Sequence, residues 1–378
     1  MNIYLFIDLL MFFLVLLGYK AKPQTQKNFL LLSCILWIII WGLRCLNVGN
    51  DTNGYAMFFE GTATSFHYYG TVDNPEESLE LGFTSLAKFL NQFSNSSVFF
   101  FLVEALLCYI AIFQLYKNNS YGLWGFLLFN IMTSCSLVLN IAVRQCFSIS
   151  FLLISICIFK KYEFSIKNKW KLLKDKYFIL AISCFLFALF IHRASFLFLP
   201  FILIAYWGQL KRKMVYAIIF SVLVITIIIP NVIIEMFDLI LSQILFISSE
   251  KVNVLASRYA DDLNTDSTFL GILSWCIPMF LTTYFTSDKK INTFDFKCLI
   301  IGFIFVTLLS GSTMQARLSL LFLLIGSKML IPSNIEKRKF LFVFYMSFTI
   351  FKIYTTYSKY ANWNFLEDSV LPYSFFWE

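Results

Sequence analysis

The sequence predicts an all-helical, polytopic membrane protein. Of its 378 residues, 59% are hydrophobic and only 14% are charged, which is far from the composition of an ordinary soluble domain. Apolar runs recur along the chain, close in length to the ~20 residues that a helix needs to cross a bilayer. Strands of a membrane barrel would be shorter and would alternate between apolar and polar residues, so the runs predict helices.

We predict about 12 transmembrane helices, joined in one polytopic domain over residues 1–378. The first stretch has no preceding basic region and no small-residue cleavage site, which indicates a retained span and not a signal peptide. In chain order the predicted spans are Ile3–Tyr19, Phe29–Leu46, Ser97–Tyr116, Tyr121–Leu139, Ile141–Phe159, Tyr177–Ile191, Ser195–Trp207, Met214–Phe237, Phe269–Phe285, Phe296–Leu309, Ala316–Ile331 and Phe340–Tyr354.

Lysine-rich loops predict the orientation of these spans. Lysines follow the first, fifth, seventh, ninth and eleventh stretches, for example at Lys20, Lys160 and Lys211. One orientation therefore satisfies the positive-inside rule at all five loops, and it places both termini outside the cytoplasm. The same loops explain the net charge of +8, so that charge does not indicate a nucleic-acid partner.

Two long loops are then predicted on the outer side, at 47–96 and 238–268. Within the first loop, apolar residues over Ser78–Leu90 recur at helical spacing. This pattern predicts an amphipathic helix lying on the membrane surface.

The arginines are distributed in the opposite way from the lysines. Five of the seven fall at outer span ends or in outer loops, namely Arg44, Arg144, Arg193, Arg258 and Arg317. A guanidinium is a planar fork that binds phosphate through two hydrogen bonds and stays charged when partly desolvated. We therefore expect a phosphate-bearing ligand at the outer face. The alternative is that these arginines pair with carboxylates of the outer loops.

Common cofactor and metal signatures are missing from the sequence. It has no Walker loop, no dinucleotide fingerprint and no Cys-x-x-Cys pair among nine cysteines. The two histidines, His67 and His192, are too few for a histidine-rich metal site. We expect neither a cofactor nor a metal, but an outward-facing pocket with a lipid-borne substrate.

Four stretches together resemble the EpsG family, whose members are relatives of the Wzy-type O-antigen polymerases. They are Arg44 with Gly49-Asn-Asp51-Thr-Asn-Gly-Tyr55, Glu80-Leu-Gly82, Asn140-Ile-Ala-Val-Arg144-Gln145, and His192-Arg193-Ala-Ser195. The last is one residue longer than the His-x-Ser of the family pattern. The resemblance covers roughly residues 44–200, with weaker support at Arg317.

The resemblance implies a surface-polysaccharide polymerase in the bacterial plasma membrane. Such an enzyme moves a growing glycan from undecaprenyl diphosphate to the non-reducing end of a new lipid-linked unit on the outer side. It would be a glycosyltransferase that needs no nucleotide sugar. Its partners would be two lipid-diphosphate-linked oligosaccharides and membrane lipid; whether a separate chain-length regulator binds is left open by the sequence.

The catalytic candidates are His192, Asp51 and Glu80, since a carboxylate or a neutral histidine suits the role of base toward the acceptor hydroxyl. Each also has a plain structural alternative: a capped helix turn for His192, a local turn hydrogen bond for Asp51 and simple solvation for Glu80. Binding candidates share polar or aromatic side chains in the motifs or the arginine set, and they are Arg44, Arg144, Gln145, Arg193, Arg258, Arg317, Asn140 and Tyr55. Glu104, inside the third span, is interpreted as a bundle-stabilising residue.

Two rival functions share some of these features. An O-antigen ligase, which moves the finished glycan to a lipid A core, would use the same outer arginines. A flippase for lipid-linked oligosaccharides would need cationic residues along a central path, and the sequence shows no mid-membrane series of them. The polymerase is therefore the function we predict.

Overall fold

The regular elements of the described chain are helices. The computed structural model describes residues 3–49, 52–61, 79–132, 139, 142–162, 175–228, 269–308, 313–332, 335–361 and 375. Fifteen α-helices lie within these ranges: α1 (Ile3–Gly18), α2 (Pro23–Gly42), α3 (Thr52–Phe59), α4 (Leu81–Asn91), α5 (Ser97–Tyr116), α6 (Gly122–Met132), α7 (Val143–Tyr162), α8 (Lys176–Ile191), α9 (Phe198–Trp207), α10 (Arg212–Ile228), α11 (Phe269–Phe285), α12 (Asp288–Ile291), α13 (Phe294–Leu308), α14 (Thr313–Gly326) and α15 (Lys339–Ala361). Short 3₁₀ helices cover Arg193–Leu197, Ser327–Met329 and Ile335–Lys337.

Each of the twelve predicted apolar stretches contains a helix within its described part. Within the described residues, four helices are long and apolar enough to cross a membrane: Pro23–Gly42, Ser97–Tyr116, Val143–Lys161 and Lys339–Tyr357. Shorter apolar helices occupy most of the remaining stretches. The all-helical prediction is confirmed in the described residues, while the count of twelve spans and the orientation of the termini stay predictions.

The chain divides into two compact units. The first comprises Met1–Leu127, Ser136–Leu199 and Ile353–Glu378, and the second comprises Leu128–Cys135 and Pro200–Lys352. In the first unit α2 packs on α5, α5 on α7, and α7 on α8. In the second unit the main packing is between α13 and α14, with α10 against α11 and α13. The prediction of a single polytopic domain stays a prediction.

The amphipathic helix predicted in the first outer loop is present as α4. Its apolar side chains divide between two environments, and those of Leu81 and Phe89 are exposed. Phe83, Leu86 and Leu90 are buried in a cluster with residues of α3, α5 and α7 and with Ile191 at the end of α8. Helical spacing shows that a face is apolar but not whether lipid or protein covers it, so the position of α4 on the membrane surface stays a prediction.

Candidate active site

Three polar side chains from separate parts of the first unit meet at one point. Glu80 directly precedes α4, Arg144 lies in the first turn of α7, and His192 directly follows α8. Arg144 Nη1 lies 2.5 Å from Glu80 Oε2, and His192 Nδ1 lies 3.4 Å from Glu80 Oε1. The side chains are 12%, 12% and 18% exposed for Arg144, Glu80 and His192. The cluster is thus partly desolvated but still open to a ligand.

A glycine explains how α4 comes so close to α8. A Cβ built on Gly82 would lie 2.5 Å from the carbonyl carbon of Phe190 and 2.8 Å from the backbone nitrogen of Ile191. Such distances are far below van der Waals contact, so only glycine allows this approach. The Glu-Leu-Gly sequence therefore places a carboxylate next to the end of α8.

Aromatic side chains form the floor of the site. The Tyr55 ring packs edge-on against Phe83, with 5.5 Å between ring centroids, and Phe83 is itself fully buried against Phe100 and Phe147. The Tyr55 hydroxyl accepts a hydrogen bond from Arg144 Nε at 2.8 Å. Arg144 is therefore held from two sides, because Glu80 binds one edge of its guanidinium and Tyr55 the other.

Two serines fix the turn that carries His192. Ser148 of α7 donates to the Ala188 carbonyl oxygen at 2.8 Å and lies 2.6 Å from Ser195 Oγ. Since Ser148 uses its only proton on Ala188, Ser195 is the donor between the two hydroxyls. Both serines are buried, and they join α7 to the 3₁₀ turn that begins directly after His192.

Glu80 is ionised at neutral pH. Burial of this carboxyl raises its pKa, but the hydrogen bond from His192 and the charges of Arg144 and His192 lower it more strongly, to about 2. A carboxylate only accepts hydrogen bonds, so His192 Nδ1 carries the proton of their bond. In neutral His192 the lone pair then lies on Nε2, the atom that can act as a base.

Arg193 presents a cation beside this cluster. Its backbone N–H donates to Glu80 Oε1 at 3.4 Å, and its side chain is exposed. Among the described residues, no carboxylate forms an ion pair with its guanidinium. A fork in this position is available to a phosphate group at the rim of the site.

Arg44 is placed elsewhere, in the interior of the first unit. Its Nη2 binds Glu104 Oε2 at 3.0 Å, its Nη1 donates to the Trp41 carbonyl oxygen at 2.7 Å, and its guanidinium lies 4.1 Å from the centroid of the Phe101 ring. The side chains of Arg44 and Glu104 are both 0% exposed. The structure gives this predicted binding residue a buried carboxylate partner in place of an open position.

The other predicted residues divide between buried and undescribed positions. Gln145 is buried in the first turn of α7, next to Arg144. Arg317 belongs to α14 in the second unit, and its side chain lies outside the described part. Asp51, Asn140 and Arg258 also lie outside the described residues.

Sequence reasoning did not identify two buried residues that hold the side chains of the site in place. Ser148 lies in an apolar stretch without a motif, and Phe83 directly follows Glu80-Leu-Gly82 but was given no role, yet Ser148 holds the His192 turn and Phe83 supports Tyr55. The run of three serines in α7, Ser148, Ser150 and Ser155, was the available signal. Buried hydroxyls in an apolar helix need partners, which often lie on a neighbouring helix.

A comparison with family models decides the classification. The model of the EpsG family matches residues 27–375, which is nearly the whole chain. The chain belongs to the EpsG family. No curated protein matches this EpsG-family chain, and no solved structure matches it either. EpsG membership, together with the apolar helices, supports a multi-pass membrane protein with a polymerase-type role in polysaccharide biosynthesis.

Proposed function

We propose that the protein polymerises a surface polysaccharide by glycosyl transfer between two lipid-diphosphate-linked oligosaccharides. The observation that carries this proposal is the meeting of Arg144, Glu80 and His192 in one partly exposed cluster. The cluster combines a phosphate-binding fork with a histidine whose Nδ1 is fixed by a carboxylate. Together with EpsG membership, it supports a site for a lipid diphosphate and a sugar hydroxyl.

In the proposed reaction the two arginines hold the diphosphate of the donor. Arg193 supplies an exposed guanidinium, and Arg144 supplies one that Glu80 and Tyr55 already orient. The bond from the anomeric carbon of the growing glycan to the diphosphate oxygen breaks, and negative charge grows on that oxygen. Fixed guanidinium groups stabilise such charge without having to reorganise during the reaction.

His192 is the proposed base. Its Nε2 would take the proton of the acceptor hydroxyl as that oxygen bonds to the anomeric carbon. Glu80 holds the opposite nitrogen, which selects the required tautomer and stabilises the imidazolium that forms. A carboxylate with a pKa of about 2 is itself a weak base, so we assign Glu80 an orienting role.

The proposed setting is the outer face of a bacterial plasma membrane. Undecaprenyl-diphosphate-linked oligosaccharides would be donor and acceptor, and a chain-length regulator is a candidate protein partner. The leaving diphosphate supplies the driving force, so the proposed reaction uses no nucleotide cofactor. Asp51, Asn140, Arg258 and Arg317 remain candidates for contacts with the sugars or with the second diphosphate.

Substitution of Arg144 tests this function. Arg144→Ala should abolish long glycan chains, with single repeat units remaining, while the protein stays inserted and abundant. Arg144→Lys should be strongly impaired as well, since a point charge cannot replace the two-pronged fork. The measurement is the length distribution of glycan extracted from a deletion strain that carries each variant.

Lys20→Ala is the matched control, because Lys20 is an exposed cation outside the cluster. It should restore normal chains. Full-length polymer from inserted Arg144→Ala protein would overturn the proposal. In the deletion strain itself, complete absence of repeat units on the acceptor would favour the ligase, and substrate trapped on the inner leaflet would favour the flippase.

A further inference from the structure

A polar cavity lies at the end of the first unit opposite the candidate active site. It has a volume of about 370 Å³ and is bounded by the end of α1, the start of α2, the end of α5 and the start of α6. The first residue of α5, Ser97, is on the side of the candidate active site, where its backbone N–H donates to Glu60 just after α3. A helix of 20 residues is about 30 Å long, so the cavity and the active site are at opposite ends of α5.

The charged side chains that line this cavity are positive. Lys27 and Lys117 both line it, and neither is paired with a carboxylate in the described part of the chain. Within the described residues, no aspartate or glutamate lines the cavity. Two cations without a facing carboxylate favour an anionic occupant.

The lining combines polar and apolar side chains. Asn118 and Ser120 belong to the loop between α5 and α6, and they lie next to Lys117. Leu14, Val15 and Leu30 come from α1 and α2. Both α2 and α6 begin at the cavity, so their N-terminal ends add partial positive charge to that of the lysines.

We propose that this cavity binds an anionic, phosphate-bearing headgroup. The two ammonium groups and the amide and hydroxyl groups of the loop would bind the phosphate and its polar substituent. An attached acyl or prenyl chain would leave along the apolar side chains of α1 and α2. This site is independent of the glycosyl transfer proposed above, since no residue is shared with the Glu80–Arg144–His192 cluster.

Lipid binding to the purified full-length protein tests the site. Delipidated protein in detergent is titrated with phosphatidylglycerol or with phosphatidylcholine of the same acyl chains, and retained lipid is counted by native mass spectrometry. We expect preferential retention of phosphatidylglycerol. The Lys27→Gln/Lys117→Gln double variant should bind it about twenty-five-fold more weakly, since each basic residue near an anionic lipid surface contributes roughly 1 kcal/mol, or about a factor of five.

Two further variants keep the result interpretable. Lys20→Gln/Lys22→Gln removes the same charge from exposed positions that do not line the cavity, and it should bind like wild type. Asn118→Glu brings a carboxylate into the lining at an exposed position, and it should weaken binding as the double lysine variant does. Gel filtration confirms that each variant stays folded.

Soluble phosphates separate the two sources of such a headgroup. Glycerol phosphate and inorganic phosphate are added as competitors to protein loaded with phosphatidylglycerol. Failure to displace the lipid supports a membrane phospholipid, whereas displacement supports a soluble phosphorylated ligand in the same cavity. Equal phosphatidylglycerol retention by wild type and by the Lys27/Lys117 variant would overturn the proposal, as would an equal loss in the Lys20/Lys22 control.

Discussion

At the scale of single residues, two ion pairs of the first unit place their arginines in different environments. The pair between Arg44 and Glu104 is fully buried, with both side chains 0% exposed. The pair between Arg144 and Glu80 retains 12% exposure on each side chain. A buried charge needs its partner at all times, whereas a partly exposed guanidinium can also bind an incoming anion. We therefore assign Arg44 a structural role and Arg144 a role in binding.

Arg44→Ala should lower the stability of the protein by about 3–5 kcal/mol, because it leaves the charge of Glu104 buried without a partner. Adding Glu104→Ala to the same chain should recover part of that loss. The measurement is thermal unfolding of the purified variants in detergent. Arg193→Ala is the matched control, since Arg193 is exposed, and its melting temperature should stay near that of wild type. Equal stability of Arg44→Ala and wild type would contradict this assignment.

The low pKa of Glu80 gives a pH prediction. Glu80 titrates at about 2 in the folded protein, below the ordinary value of 4.5, so its contribution to stability is present above pH 4.5 and is lost as the pH falls toward 2. The rate of polymerisation in membrane vesicles should therefore not fall between pH 8 and pH 4.5 through protonation of Glu80.

Glu80→Gln should reduce polymerisation about a hundred-fold at neutral pH, because it removes the group that fixes His192 for proton transfer. Its stability should approach that of wild type as the pH falls below 4.5, where the wild-type carboxylate begins to lose its advantage. An acid limb near pH 4.5 in wild type that is missing in Glu80→Gln would show that Glu80 itself titrates during catalysis.

At the scale of helices, glycines set how closely neighbouring elements approach. Gly82 lets α4 rest on the backbone at the end of α8, and Gly326 lets the end of α14 rest on Leu299 of α13, where an added Cβ would lie 2.5 Å from the Leu299 Cα. Small residues at such crossings increase the van der Waals contact that holds membrane helices together. In the first unit, the close approach that Gly82 allows places Glu80 next to His192.

Gly82→Ala should separate α4 from α8, because its methyl group would meet the Phe190 backbone at about 2.5 Å. A displacement near 1 Å lengthens the contact between Glu80 and His192, and we expect polymerisation to fall about a hundred-fold. Ser85→Ala, at an exposed position of the same helix, is the control and should retain activity. Wild-type chain lengths from Gly82→Ala would show that this close approach is not needed.

The helices could be predicted from the sequence far better than their partners. The stretches 97–116 and 269–285 were predicted with the bounds that α5 and α11 have, since hydropathy along one segment is sufficient for that purpose. The pairing of Arg44 with Glu104 joins residues 60 positions apart and depends on how α2 packs on α5, which no local pattern encodes. Glu80, Arg144 and His192 were predicted from motifs that resemble those of the EpsG family, with Glu80 in the first outer loop and the other two at predicted outer ends of spans.

At the scale of the molecule, the first unit has two chemically different ends. The ends of α8 and the starts of α4 and α7 meet around Glu80, where the basic residues are arginines. The opposite ends of α7 and α8 carry Lys160, Lys161 and Lys176. This arrangement supports an orientation with the lysine end in the cytoplasm and the candidate active site outside.

Labelling of introduced cysteines tests that orientation. Ser85→Cys, at an exposed position on α4, should react with a membrane-impermeant maleimide in intact spheroplasts, because we place α4 outside. Lys22→Cys and Lys290→Cys, also exposed, should react only after permeabilisation. The wild-type chain gives the background, since its described cysteines are buried or half-buried.

The pattern of labelling also constrains the number of spans. With twelve spans, an even number of crossings separates Lys22 from Lys290, so the two positions must react on the same side. Reaction of Lys22→Cys and Lys290→Cys on opposite sides would remove the count of twelve but leave the first unit as described. Reaction of Ser85→Cys and Lys22→Cys on one side would place the Glu80 cluster and the lysines in the same compartment, and an outward-facing polymerase would then be excluded.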